Sequence, residues 1–198
     1  MSVKSFRKCL CKLTQQLPIL NQRSFWLWLL LSIITFGIGG LIYLYLNLDD
    51  LNRLDKYPRP ANVPSTKNET VILILLALCL PPIGLFVAMY VKFHKLQRYL
   101  AAHPVRGSQQ VASGGKVLTI MLFSAFMSVA SSLVYRIKMY FFPGPIGPVV
   151  YVTTALIGIV GLILAIVLLV YNYHWQEAYN ERVRLLTENN TPNDLPLR

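Results

Sequence analysis

FWLWLLLSIITFGIGGLIYLYL, residues 25–46, carries no Asp, Glu, Lys or Arg and is interrupted near its middle by Thr35-Phe36-Gly37-Ile38-Gly39-Gly40. Three further windows free of charge follow, 71–91, 117–135 and 149–173. At about 1.5 Å of rise per residue, a helix over each can cross the roughly 30 Å hydrocarbon layer of a bilayer. Aromatic residues stand at the window ends, Trp26, Trp28, Tyr43 and Tyr45 at the first and Tyr171, Tyr173 and Trp175 at the last, as interfacial anchors do. With 55% hydrophobic and 14% charged residues over 198 positions, the chain lies outside the range of a soluble domain. The sequence predicts an all-α membrane protein with four transmembrane helices.

The charges set the expected orientation. Five Lys or Arg precede the first window, four lie in the first loop, five in the second, two in the third and three in the tail. Placing both termini in the cytoplasm puts thirteen of these inside and six outside, which favours that orientation in the plasma membrane. The first loop, with Arg53, Lys56, Arg59 and Lys67, is the weak point of that count. A net charge of +11 is explained by this pattern, so nucleic acid is not an expected partner.

Val3, Phe6, Leu10, Leu13 and Leu17 recur at helical spacing, with Lys4, Arg7, Lys8 and Lys12 largely on the other faces. Residues 1–22 therefore read as a basic amphipathic surface helix against anionic lipid headgroups. Residues 23–198 form the membrane domain, ending in a polar tail, 187–198. Cys9, Cys11 and Cys79 are an odd count and imply no disulfide framework. The first loop can continue the first helix over its acidic start, then turns extended through Pro58, Pro60 and Pro64. Gln176 to Leu186 can prolong the fourth helix into water.

Shifting the chain by 45 positions lays the first window on the second: Leu31 on Leu76, Ile38 on Ile83, Gly39 on Gly84, Tyr45 on Tyr90, Leu51 on Leu96 and Arg53 on Arg98. Both copies are interrupted at the same place, by Thr35, Gly37, Gly39 and Gly40 in one and by Pro81, Pro82 and Gly84 in the other. Three readings are open. The breaks are packing or kink positions of crossing helices, or they form a mid-membrane binding site as in transporters, or each window is a wedge-like hairpin that returns to the side it came from.

Arg23-Ser24-Phe25-Trp26-Leu27-Trp28, Ile33-Ile34-Thr35-Phe36-Gly37-Ile38, Tyr43-Leu44-Tyr45 and Asp49-Asp50-Leu51-Asn52 together resemble the pattern of a family of small prokaryotic multi-pass membrane proteins, domain of unknown function 4234. The resemblance is best over Gln22 to Leu54 and looser over the second window. Gly39-Gly40 stand where that family usually carries an aromatic. The resemblance implies a multi-pass membrane protein and supplies no activity, ligand or catalytic residue.

No catalytic constellation, metal site or cofactor motif is present in the sequence, and the four windows hold no ionisable side chain other than Cys and Tyr. His94, His174 and Glu177 are the nearest approach to a polar cluster, at the interface, and headgroup contact explains them. Ser124, Ser128, Ser131 and Ser132 with Gly158, Gly161 and Ala165 suit close helix packing. The expected function is non-enzymatic, through helix packing with a second copy or another membrane protein, or through lipid contact. A small transporter or channel component with its site at the two breaks is the alternative, and a membrane enzyme comes third.

Overall fold

The computed structural model describes residues 19–57, 60–107, 110–141 and 147–189, and these are all helical or irregular, with no strand among them. Six helices follow in order: α1 Phe25–Ile34, α2 Ile38–Asp55, α3 Thr70–Cys79, α4 Pro81–Ala102, α5 Gly114–Phe141 and α6 Pro148–Asn189. The basic surface helix expected over 1–22 falls mostly outside the described residues, and residues 19–24 are irregular.

Four crossing helices were expected, with a wedge-like hairpin as one of three open readings of the first two apolar windows. Each of these windows forms two helices that fold back on one another. Ser24 caps α1 by accepting a hydrogen bond from the Leu27 amide at 3.4 Å. The helix stops at Thr35 because Phe36 and Gly37 take left-handed φ angles of 49° and 94°, which no right-handed helix can accommodate. The second break has a different cause. A residue before proline is pushed out of the helical region, and Leu80 sits at φ −129°, ψ 70°. Pro81 and Pro82 then occupy the first turn of α4, where a missing amide hydrogen costs nothing. The prolines therefore start a new helix instead of kinking an old one.

Residues eight apart in a continuous helix are about 12 Å apart. Here a Cβ added to Gly39 would lie 2.8 Å from the Leu31 carbonyl carbon, and one added to Gly84 would meet the backbone of Leu76 and Ala77. Only chain reversal brings these positions together. The pairs Leu31/Gly39 and Leu76/Gly84 are also related by the 45-residue repeat, so the repeat is a repeat of helical hairpins. Leu51 and Leu96 are both fully buried at its far end, as are Leu48 and Phe93.

The remaining two windows form long helices. α5 has 28 residues and α6 has 42, and both are long and apolar enough to cross a membrane. Their apolar stretches are exposed along most of their length, as are α1, α3 and the hairpin turns, where Phe36 is 99% exposed. The Ser and Gly residues expected to pack closely instead line a cavity of about 310 Å³ between α5 and α6, and a Cβ at Gly158 or Gly161 would meet open space.

The core sits at the other end of the molecule. Leu51 and Leu54 of α2, Phe93, Leu96 and Tyr99 of α4, Val117 of α5, and Trp175, Tyr179 and Val183 of α6 pack together with Val63 from the first loop and Val111 and Ala112 from the second. The first loop is held there by side chains and backbone carbonyls of α2. Asp55 accepts from the Ser65 hydroxyl at 2.8 Å and the Thr66 amide at 3.0 Å, and the Thr66 hydroxyl donates to the Leu51 carbonyl at 2.7 Å. Asn68 donates to the Leu48 carbonyl at 3.0 Å and its amide reaches Asn52. Both loops and the end of α6 thus share one hydrophobic core.

Candidate functional site

The predicted break residues form the two hairpin turns. Thr35 does most to satisfy the first. Its hydroxyl donates to the Leu31 carbonyl at 2.6 Å and accepts from the Gly39 amide at 2.7 Å, so one side chain ends α1 and starts α2. The Gly37 amide donates to the Ser32 carbonyl at 2.7 Å. Gly37 supplies the left-handed angle, and Gly39 and Gly40 let α2 approach Leu31 and Ser32. In the second hairpin Pro81 and Pro82 open α4, and Gly84 makes the close approach to Leu76. Both turns are rimmed by exposed apolar side chains, Ile34, Phe36 and Ile38 in one and Leu78, Leu80 and Ile83 in the other.

Below the turns a groove of about 470 Å³ opens between α2, α4 and α6. Phe36, Ile38, Leu41, Leu44, Leu85 and Met89 line it, and Tyr43, Lys92 and Asn172 also border it. Lys92 is 1% exposed. Its Nζ donates to Asn172 Oδ1 at 2.8 Å and lies 4.4 Å from the Trp175 ring centroid, with the Tyr43 and Phe93 rings at 5.1 and 5.5 Å. The Trp175 indole donates to the Lys92 carbonyl at 3.1 Å, locking α6 to α4.

Next to this groove a polar chain ties α2 to α6. Tyr43 donates to Gln176 Oε1 at 2.6 Å, Gln176 donates to Asn180 Oδ1 at 2.9 Å, and Asn180 bonds both the amide and the carbonyl of Arg23. Arg23 in turn donates two hydrogen bonds to Asp50, at 2.6 and 3.1 Å. Burial pushes the Asp50 carboxyl up from the ordinary range, and the guanidinium opposes that shift.

The other expected positions do not converge. His94 stacks on Tyr90 of its own helix at 5.1 Å between ring centroids. His174 Nδ1 lies 3.8 Å from Glu177, and Glu177 borders a polar groove with Arg106, Gln110, Glu181 and Arg184. Among the described residues no group of three or more His, Cys, Asp or Glu is placed to hold a metal ion. Lys4, Arg7, Lys8 and Lys12 lie outside the described residues. The sequence reading counts Lys92 only as a basic loop residue and Gln176 only as the start of a helical extension, and it does not single out Asn172. The one available signal was the repeat, which sets Lys92 on Asn47, a second fully buried polar side chain.

Fold and groove together define an all-helical protein in which a paired-hairpin unit precedes two membrane-length helices. Residues 23–102 match the family model described as Domain of unknown function (DUF4234), as the sequence pattern implied. The match starts two residues before α1 and ends on the last residue of α4, so it coincides with the paired-hairpin unit. No curated protein and no solved structure matches the chain.

Proposed function

We propose that this protein is a non-enzymatic integral protein of the plasma membrane that crosses the bilayer twice, through α5 and α6, and drives two re-entrant hairpins, α1–α2 and α3–α4, into the cytoplasmic leaflet as wedges. The observation that carries this reading is the shared core. Val63 of the first loop packs in one cluster with Val111 and Ala112 of the second and Val183 of α6. A chain crossing four times would set the first loop on the opposite side from the other two, about 30 Å of hydrocarbon away. Two further points agree. α1 and α3 have 10 residues each, about 15 Å, which is half the hydrocarbon thickness. Of 19 Lys and Arg, all but Arg136 and Lys138 then fall on the cytoplasmic side, a stronger inside bias than four crossings give.

Two apolar wedges in one leaflet add area there and not in the other, so the function that follows is to bend membrane or to gather at bent membrane. The protein's partners in this reading are the bilayer itself, anionic headgroups and other copies of the chain. Reconstitution tests it. With rising protein content, vesicles of phosphatidylcholine and phosphatidylglycerol should become smaller or tubulate in electron micrographs, and Phe36→Asp with Ile83→Asp, which charges both turns, should remove the effect. Vesicle diameters that do not respond to the protein would contradict a membrane-shaping role.

A further inference from the structure

Lys92 is a buried amine that makes no ion pair among the described residues. Its contacts are one amide oxygen and three aromatic rings. An ammonium has three hydrogens to donate, and removing it from water is costly unless an opposite charge answers it. Those rings and Asn172 offset part of the cost of charging the amine, and no anion among the described residues offsets the rest.

The surroundings specify what would answer it. The groove that Lys92 borders has the size of a ligand pocket and is otherwise apolar apart from Asn172 and the Tyr43 ring. It runs along α4 from Leu85 to Lys92, about 10 Å, and reaches the first hairpin turn at Phe36. Under the two-hairpin insertion proposed above, on which this inference rests, Phe36 lies deep in the leaflet and Lys92 at headgroup level. A ligand must then be apolar along its length and anionic at the end near Lys92.

We infer that this groove is a binding site for an anionic phospholipid of the surrounding membrane, its acyl chain lying between α2 and α4 and its phosphate paired with Lys92. A free anion would leave the apolar walls unused, and a zwitterionic lipid would bring its own cation to a site that already holds one. Asn172 and Trp175 position the ammonium, and α6 thereby couples the crossing helices to lipid held by the hairpins.

Native mass spectrometry of the full chain released from detergent, with phosphatidylglycerol and phosphatidylcholine of identical chains supplied in equal amounts, tests this. Phosphatidylglycerol should be retained about tenfold over phosphatidylcholine. Lys92→Gln should bring that ratio near one, Lys92→Arg should keep it, and Leu85→Trp, which fills the groove, should lower retention of both lipids. Inorganic phosphate in excess should not displace the lipid. Equal retention of the two lipids, a preference unchanged in Lys92→Gln, or displacement by inorganic phosphate would overturn the site. Reagent accessibility at Ser65 in the same membranes reports the hairpin topology separately, so loss of the lipid preference with Ser65 still shielded refutes the site and leaves the hairpins standing.

Discussion

Gly84→Leu should open the second hairpin and cost about 3 kcal/mol, read as a fall of roughly 10 °C in the midpoint of thermal unfolding in detergent. A Cβ at this position would collide with the backbone carbonyl of Leu76 and the amide of Ala77. Backbone atoms cannot rotate away as a side chain can, so α3 and α4 must separate. Separation withdraws Leu73 and Ala77 of α3, both buried, from the face of α4 against which they fold. Gly158→Leu is the matched control, because nothing lies within 4 Å of a Cβ there and its midpoint should stay within a degree or two of the parent. Equal effects at the two positions would mean that Gly84 acts through composition and not through a fold-back.

The other large effect belongs to Trp175. It is fully buried, stacks on Tyr179 at 5.6 Å between ring centroids, and donates its indole hydrogen to the Lys92 carbonyl. Trp175→Ala removes the largest side chain of the core and leaves a cavity between α4 and α6, which costs about 4 kcal/mol. The loss is local as well as global. Val63, Val111 and Ala112 pack in the same cluster, so both loops should become sites of cleavage under limited proteolysis at temperatures where the parent protein resists. Trp175→Phe keeps most of the packing and should recover at least half of the stability.

Much of the fold can be read from the residues. The charge-free windows, the extension of α2 over the acidic start of the first loop and of α6 through Leu186, the 45-residue repeat and the two breaks all follow from local composition, and each is present in the structure, where α6 runs three residues further, to Asn189. Chain direction after a break is not local. A 22-residue apolar window has the same hydropathy whether it crosses a bilayer or turns back within it, and Pro81-Pro82 is as good a kink as a helix start. What favours the turn-back we propose is the packing of Val63 against residues some 48 to 120 positions further along, which no windowed property contains. The candidate site divides in the same way. Thr35, Gly37, Gly39 and Gly84 are legible because each has a backbone duty in the turn. Lys92 is not, because its burial depends on Asn172 and Trp175, delivered by a helix some eighty residues later.

The most direct test of the account is the side of the membrane on which the first loop lies. With Cys9, Cys11 and Cys79 replaced, single cysteines at Ser65, Ser108, Gly144 and Asn190 can be treated in intact cells with a membrane-impermeant thiol reagent. The two-hairpin topology predicts labelling at Gly144 alone, with Ser65 joining Ser108 and Asn190 only after permeabilisation. Labelling of Ser65 together with Gly144 in intact cells would contradict it, because the first window would then cross the bilayer.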